Sequence, residues 1–148
     1  METEDIQKLI PNRPPYLWVD EVVSLDDHQI HTRKFIDPTL SLFTGHYPDF
    51  PILPAAMQCE CAYQASAILI ASLGVSTAGK IPVVARANNL KFRQMVRPGE
   101  SLDIHVTLEK RLADVFFLRS RILRDGHTVA SLDFVTTATE PGGQPDGN

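Results

Sequence analysis

The pattern of hydrophobic and polar residues divides the chain into strand-like segments around one long apolar helix. Residues 16–25 and 29–36 are rich in β-branched and aromatic residues and predict two strands, joined by a turn at 26–28. Residues 55–73 contain no proline, glycine, lysine or arginine, and Gly74 follows where a helix-ending residue is expected. Because apolar residues occupy most of its circumference, we expect this helix to be buried on nearly all sides.

Four more strands are predicted after the helix. Residues 82–92 form the first, and a period-two alternation of apolar and polar residues over 102–109 marks the second. The segments 114–123 and 127–138 follow as a hairpin, since the residues 124–126 between them, Arg-Asp-Gly, form a turn sequence. We expect these four strands to run in a meander.

The order of these elements predicts a single α+β domain over residues 1–140. Two strands, one buried helix and four further strands fit a long central helix wrapped by a curved antiparallel β-sheet, which is the hot-dog arrangement. We expect a short helical lead-in over residues 1–8, a mobile loop of small residues over 75–80 and a disordered tail over 141–148. Since the helix is so apolar, we also expect two such units to pair.

The composition excludes several classes of function. The 148 residues are 43% hydrophobic and 22% charged, as in an ordinary globular domain. The formal net charge of -4 argues against general nucleic-acid binding, and no apolar run is long enough to span a membrane. The chain starts without a signal-peptide pattern. Cys59 and Cys61 would point in different directions on a helix and cannot form a disulfide bond. We therefore expect a cytoplasmic protein.

The candidate chemistry begins in the segment 45–54, which reads GHYPDFPILP and leads directly into the helix. Histidine has an unperturbed pKa of about 6.5, which suits a general base near neutral pH. Three prolines in this segment restrict the loop that carries His46. A structural histidine that bonds a backbone carbonyl group is the alternative interpretation of the same residue.

Two features of the helix add to this candidate site. Glu60 is the only ionisable carboxylate in the predicted helix, and burial among apolar neighbours would raise its pKa toward that of a useful acid. Pro54 has no N–H group, so the N–H of Ala55 is the natural donor to a carbonyl oxygen at the helix start. The alternatives are that Glu60 is a solvated helix residue and that Ala55 only favours helix formation.

These residues resemble the signature of the hot-dog 3-hydroxyacyl-(acyl-carrier-protein) dehydratases of the FabZ type. The family pattern G-H-F-P-x-x-P-I-x-P-G-x-x-x-x-E-A-x-x-Q is similar to the segment 45–64, including the spacing of 14 residues between His46 and Glu60. Further matches on both sides extend the resemblance over roughly residues 9–138. Three departures matter: Ala55 replaces the family glycine, Cys61 stands where alanine is usual, and residues 86–89, Arg-Ala-Asn-Asn, replace a stretch that commonly reads Gly-Ile-Asp-Lys. Ala55 bears most on the site, because its methyl group could crowd the substrate.

The resemblance implies a cofactor-free dehydratase with no metal. Its substrate would be a (3R)-3-hydroxyacyl thioester on an acyl carrier protein, and its product a trans-2-enoyl thioester in fatty acid biosynthesis. His46 would act as the base and Glu60 of the opposite subunit as the acid, so a homodimer is implied, with a trimer of dimers as a larger assembly. The N–H of Ala55 would bind the thioester oxygen. Gln64 would orient Glu60, or serve as a core or interface amide.

Two further groups of residues could contact the substrate and its carrier. The candidates for an apolar acyl tunnel are Leu53, Met57, Val84 and Phe92. Each of them could equally be a core residue. The candidates for a basic surface that receives the acidic carrier protein are Lys91, Arg93 and Arg97, with Arg33 and Lys34 as additions. A solvated charged face is the alternative for each of these cations.

Two other functions remain open. A hot-dog thioesterase could use the same helix start to polarise a thioester for attack by water, although His46 argues against it. A non-catalytic acyl-binding subunit would result if the methyl group of Ala55 blunts the site. Release of free thiol would identify the first, and tight acyl binding without turnover would identify the second.

Overall fold

The computed structural model describes residues 1–74 and 79–142. These residues form one six-stranded antiparallel sheet with a long helix packed against it. The helices are α1 (Thr3–Leu9) and α2 (Ala55–Ser72), and a 3-10 helix spans Ser41–Thr44. The strands are β1 (Glu21–Leu25), β2 (Gln29–Phe35), β3 (Ile81–Phe92), β4 (Ser101–Leu112), β5 (Val115–Arg124) and β6 (His127–Thr139).

Helix α2 is the predicted long helix, and eleven of its 18 residues are buried. Pro54 precedes its first turn, and Gly74 follows its end with a φ of 92°. Ala62 and Ala65 are fully buried, and their small side chains allow neighbouring elements to approach the helix axis closely. The helix contacts β2, β3, β4 and β5, so the predicted α+β hot-dog arrangement is confirmed.

One stripe of α2 is covered less than the rest of the helix. Ala56 is exposed, and Glu60, Tyr63 and Ala67 are only half-buried. These four positions are three or four residues apart, so they lie along one face of the helix. The expectation of burial on nearly all sides is therefore wrong for this face within a single chain.

The sheet order is β1-β2-β4-β5-β6-β3, so the predicted meander is wrong for one strand. β4, β5 and β6 are consecutive neighbours, and the last two are joined by a turn with positive φ angles at Asp125 and Gly126. β3 instead pairs with β6 at the edge of the sheet. β4 pairs with β2, which places the buried Val106 opposite the buried Ile30 and continues one apolar face across the sheet.

The predicted strand over 16–25 is wrong in its first half, because β1 begins only at Glu21. The segment before it is bound to α2 instead. The backbone N–H of Trp18 donates to Oε1 of Gln64 at 2.7 Å, and the carbonyl of Tyr16 accepts from Nε2 of Gln64 at 3.0 Å. A helix side chain thus takes the place of a neighbouring strand, and that partner lies 46 residues away from Trp18 in the sequence.

The remaining elements agree with the sequence within a few residues. Helix α1 occupies the predicted lead-in and buries Ile6. Of the predicted loop over 75–80 and the predicted tail over 141–148, residues 75–78 and 143–148 lie outside the described residues. In the part of the chain that the structure describes, no helix is long and apolar enough to cross a membrane.

Candidate active site

His46 is held by the backbone of its own loop. Its N–H donates to the carbonyl of Leu42 at 3.0 Å, and its carbonyl accepts from the N–H of Ile52 at 3.1 Å. The ring nitrogen Nδ1 lies 3.1 Å from the carbonyl oxygen of Ile52. Because a carbonyl oxygen can only accept, Nδ1 is the donor in this contact, and in the matching neutral tautomer the lone pair lies on Nε2. The structural and the catalytic interpretation of His46 are therefore compatible.

The loop between β3 and β4 supports the loop that carries His46. The N–H of Leu53 donates to the carbonyl of Val96 at 2.7 Å. The guanidinium carbon of Arg97 lies 4.4 Å from the centre of the Phe50 ring, within cation–π distance. These contacts fix the position of His46 relative to the start of α2.

Ala55 is the first residue of α2 and presents the N–H end of the helix. The N–H of Met57 already donates to the carbonyl of Pro54 at 2.9 Å, whereas the N–H of a first helical residue such as Ala55 has no intrahelical acceptor and lies at the positive end of the helix dipole. Ala55 has helical backbone angles and does not lie in the left-handed region. Its methyl group therefore requires no backbone angle that only glycine adopts.

A cavity of about 780 Å³ joins His46 to the start of α2. The predicted site residues that line it are His46, Leu53, Ala55, Phe92, Arg93 and Arg97. The cavity thus combines a histidine, the first residue of α2, apolar side chains and three arginines, with Glu100 beside them. Apolar walls with a few polar groups are typical of small-molecule sites, and this combination is suited to an acyl thioester.

Glu60 lies outside this cavity. It lines a second pocket of about 280 Å³ together with Gln64 and Val84. At about 100° and 1.5 Å per residue, Ala55 and Glu60 are about 140° apart around the helix axis and about 7.5 Å apart along it. Within one chain, Glu60 and His46 therefore face different pockets.

Burial raises the pKa of Glu60 above its ordinary value, which is the direction expected for an acid. Side-chain hydrogen bonds from Tyr16 and Gln64 act in the opposite direction, because they stabilise the charged carboxylate. Burial is the larger effect. Glu60 therefore holds its proton more tightly than a solvated glutamate.

Gln64 is both a core amide and a partner of Glu60. Its side chain is 3% exposed and bonds the backbone of Tyr16 and Trp18. It also lowers the pKa of Glu60, which lies one turn earlier on the same helix face. The two interpretations that the sequence left open are thus not exclusive.

The other predicted substrate and carrier residues lie apart from the His46 cavity. Met57 is half-buried against the core, and Val84 lines the Glu60 pocket. Lys91 lines a separate pocket on the sheet, so the predicted basic cluster is divided between Lys91 on one side and Arg93 with Arg97 on the other. Only two of the three cations therefore share a cavity with His46.

Arg33 and Lys34 do not extend the basic surface at the His46 cavity. Nε of Arg33 lies 2.9 Å from the carboxylate of Asp103, and Nζ of Lys34 lies 3.0 Å from that of Asp20. Both cations are thus paired with carboxylates near the β2 strand. These contacts do not support the hypothesis that the two residues belong to a carrier-binding surface.

The cysteines and the remaining histidines give no second reactive centre. Cys59 and Cys61 are buried and free, as predicted, and burial raises the pKa of Cys61 to about 12. No group of His, Cys, Asp or Glu side chains suited to a metal ion occurs among residues 1–74 and 79–142.

Sequence reasoning missed two residues that support the site. Nη1 of Arg124 donates to the carbonyl of Met95 at 2.8 Å and lies 3.1 Å from the carboxylate of Glu100, which fixes the loop between β3 and β4. Tyr16 lowers the pKa of Glu60 against the larger effect of burial. Neither residue has a sequence signal, because each of these partners lies at least 24 residues away in the chain.

Comparison with known proteins identifies the family of the chain. The chain matches a family model described as ApeI-like, ApeI dehydratase, over residues 22–132. It is 35% identical over 135 residues to the 3-hydroxyacyl-(acyl-carrier-protein) dehydratase FabZ of Rickettsia bellii, covering 90% of this chain and 93% of the relative. The FabZ dehydratase of Anaeromyxobacter sp. is 34% identical over 139 residues, covering 91% of this chain and 88% of the relative.

Solved structures share the fold at lower sequence identity. The dehydratase heterocomplex ApeI:P from Xenorhabdus doucetiae aligns with a TM-score of 0.78 and 15% identity, over 93% of this chain and 92% of that chain. A hypothetical thioesterase with coenzyme A from Streptococcus pneumoniae aligns with a TM-score of 0.65 and 13% identity, over 81% of this chain and 88% of that chain. At these identities the likeness shows the hot-dog fold alone.

The fold, the family match and the similar proteins together define the class as the hot-dog fold dehydratases. Within this class, the chain belongs to the ApeI-like dehydratase family and is a homologue of the FabZ enzymes. The resemblance that rests on the segment 45–64 is therefore confirmed.

We expect Gln64→Leu to lower the free energy of unfolding by about 1–3 kcal/mol, because the buried N–H of Trp18 and the carbonyl of Tyr16 would lose their partners. Urea unfolding followed by the fluorescence of the single tryptophan measures this loss. Gln29→Leu is the matched control, since Gln29 is exposed on β2. Equal losses in the two variants would contradict the role of Gln64.

The raised pKa of Glu60 predicts a stability difference that depends on pH. Below the unfolded-state pKa of about 4.3, Glu60 is protonated in both the folded and the unfolded protein, so it does not lower the free energy of unfolding. As the pH rises through the higher folded-state pKa, the folded protein must bury a carboxylate, and stability is lost. Glu60→Gln, which mimics the neutral acid, should therefore match the wild type at acidic pH and become relatively more stable toward neutral and alkaline pH.

Guanidinium unfolding at several pH values measures the difference between Glu60→Gln and the wild type. Glu4→Gln on α1 is the control, because Glu4 is exposed and the change there removes no buried carboxylate. A difference between Glu60→Gln and the wild type that stays constant across the pH range would show that Glu60 is not held in its neutral form by burial.

Proposed function

We propose that this protein dehydrates (3R)-3-hydroxyacyl thioesters on an acyl carrier protein, giving trans-2-enoyl thioesters and water in fatty acid biosynthesis. The proposal rests above all on the cavity that His46 shares with the N–H end of α2. The homologous proteins from Rickettsia bellii and Anaeromyxobacter sp., which are named for this reaction, support it. We infer that it acts in the cytoplasm.

In the proposed mechanism, Nε2 of His46 removes a proton from the α-carbon of the substrate. The negative charge that develops on the thioester oxygen is stabilised by the N–H of Ala55 and by the dipole of α2. The electron pair of the broken C–H bond forms the C2–C3 double bond as the hydroxyl group leaves C3. Glu60 gives its proton to the departing hydroxyl, so that water is released, and exchange with solvent restores both side chains.

This mechanism takes Glu60 from a second copy of the chain. Within one chain, His46 and Glu60 face different pockets. The Glu60 pocket is bounded by the less covered stripe of α2 and by Pro82 and Val84 of β3, which pairs only with β6 among the described residues. A homodimer that covers this stripe and this strand edge would bring Glu60 of one subunit to the His46 cavity of the other.

The wall of the His46 cavity suggests how the substrate is held. Leu53 and Phe92 would contact the acyl or pantetheine chain, since both line the cavity beside Ala55. Arg93 and Arg97 would receive the acidic carrier protein or the phosphate of its prosthetic group. Lys91 lines another pocket and would contact the carrier only at the margin.

His46→Ala and Glu60→Gln should each lower the rate by about 100-fold or more, since each removes a proton-transfer group. If each site takes one group from each subunit, refolding the two inactive variants together should restore about a quarter of the wild-type activity. Half of the dimers are then mixed, and a mixed dimer holds one intact site of two. Hydration of an enoyl thioester, followed by the loss of its ultraviolet absorbance, measures the activity.

His28→Ala is the control for these variants, because His28 lies exposed in the turn between β1 and β2. A mixture that stays inactive would show that the site is not shared between subunits. A wild-type protein that is inactive on thioesters of several chain lengths would contradict the dehydratase proposal. Release of free thiol would indicate a thioesterase instead.

The role of the Ala55 N–H can be tested with a matched pair of variants. Ala55→Pro removes the N–H but suits the first turn of a helix, and Pro54, with φ -56° and ψ 142°, already has the angles that a residue before proline adopts. We expect this variant to remain folded and to lose activity by about 100-fold or more, since removing an oxyanion donor costs that much.

Ala55→Gly keeps the N–H and removes only the methyl group. If the methyl group does not hinder the substrate, this variant should retain activity close to the wild type. A large gain would instead support the view that alanine blunts the site. Equal activity of Ala55→Pro and the wild type would show that another group stabilises the thioester oxygen.

A further inference from the structure

The guanidinium group of Arg124 binds three residues of the loop between β3 and β4, which spans residues 93–100. Nη1 donates to the carbonyl of Met95 at 2.8 Å, and Nη2 donates to Oε1 of Gln94 at 2.5 Å. Nη1 also lies 3.1 Å from the carboxylate of Glu100. One side chain at the end of β5 thus connects the first part of this loop with its last residue.

Backbone hydrogen bonds fix the two ends of the same loop. They attach its first residues to the carbonyl of Val129 on β6 and Gly99 to the carbonyl of Ile36 after β2. Arginine suits the contacts between these ends, because its planar guanidinium group presents several N–H donors in fixed directions. A lysine at position 124 would keep the charge, but its ammonium group could not reproduce this set of contacts.

Arg93 and Arg97 lie on either side of the residues that Arg124 binds, and both line the His46 cavity. Among residues 1–74 and 79–142, no carboxylate lies within ion-pair distance of either guanidinium group. Arg124 lines the cavity too, but it is paired with Glu100 and only 22% of its side chain is exposed. The cavity thus offers two cations to an anionic ligand, while the charge of the third is used within the protein.

We propose that Arg124 is a positioning residue for substrate binding. It holds the loop between β3 and β4 in the conformation in which Arg93 and Arg97 face the His46 cavity and bind the phosphate of the carrier's prosthetic group. Arg124 itself does not bind the substrate. This inference rests on the proposed function, which supplies the carrier-bound substrate.

Kinetics of Arg124→Met on two substrates test the proposal. The first is a 3-hydroxyacyl thioester on the acyl carrier protein, and the second is the same acyl group on N-acetylcysteamine, which has no phosphate. We expect KM for the first substrate to rise roughly tenfold, as for the loss of one charge-assisted contact, with kcat near the wild type. Both constants for the second substrate should stay near the wild type, because it does not use the two arginines.

Two further variants serve as controls. Arg121→Met removes an arginine from the same strand, but Arg121 is exposed and lines a pocket apart from the His46 cavity, so both substrates should react as in the wild type. Arg124→Lys should behave like Arg124→Met. A wild-type KM in Arg124→Lys would overturn the proposal, because a positive charge alone would then suffice. Equal losses on the two substrates in Arg124→Met would also overturn it, because they would indicate a general structural role.

Two measurements without turnover separate this inference from the proposed function. The N–H of Arg97 donates to Oε1 of Glu100 at 2.5 Å, and Arg124 holds that carboxylate. The amide of Arg97 should therefore exchange with solvent roughly tenfold faster in Arg124→Met, as hydrogen exchange followed by NMR would show. The dissociation constant for the carrier protein with its unacylated prosthetic group should rise by a similar factor.

An unchanged exchange rate or an unchanged dissociation constant would overturn the role of Arg124. A wild-type protein that does not turn over any thioester would overturn the dehydratase assignment alone. The exchange rate and the dissociation constant would then still decide whether Arg124 positions the two arginines.

Discussion

The burial of an almost uncharged helix is the constraint on which this structure depends. Helix α2 carries Glu60 as its only charged side chain, so it is stable only where the sheet and the N-terminal segment remove it from water. The candidate functional groups lie where the sheet and the N-terminal segment no longer cover the helix. The helix start opens into the His46 cavity, and Glu60 lies on the stripe that one chain leaves half-covered.

The helix also explains why one chain holds two incomplete pockets. Ala55 and Glu60 point about 140° apart around the axis, so no rotation of the helix can direct both into one cavity. Packing favours burial of the intervening residues, such as Cys59, against the core. In the proposed homodimer, a second copy would remove this conflict, because it would cover the exposed stripe and supply Glu60 in the same contact. Completion of the site and burial of the helix would then be one requirement.

The sequence predicts the fold wherever local pattern and tertiary structure agree. The proline before α2, the glycine after it and the alternation in β4 each have a local physical cause, and those elements are found. The position of β3 depends on pairing between distant strands, for which the chain carries no local signal. In the site, the motif predicts His46, Ala55 and Glu60. It does not predict that His46 and Glu60 line different pockets, because the number of residues between two positions does not say which way their side chains point.

The misplaced strand at 16–20 and the missed residue Tyr16 have the same cause. This segment has strand-like residues, yet Gln64 binds its backbone and holds it against α2 instead of the sheet. The same segment contributes Tyr16, which together with Gln64 opposes the larger effect of burial on the pKa of Glu60. In the proposed mechanism, Glu60 must hold its proton and still release it to the leaving group. Burial favours the protonated acid, and Tyr16 and Gln64 favour the carboxylate that remains.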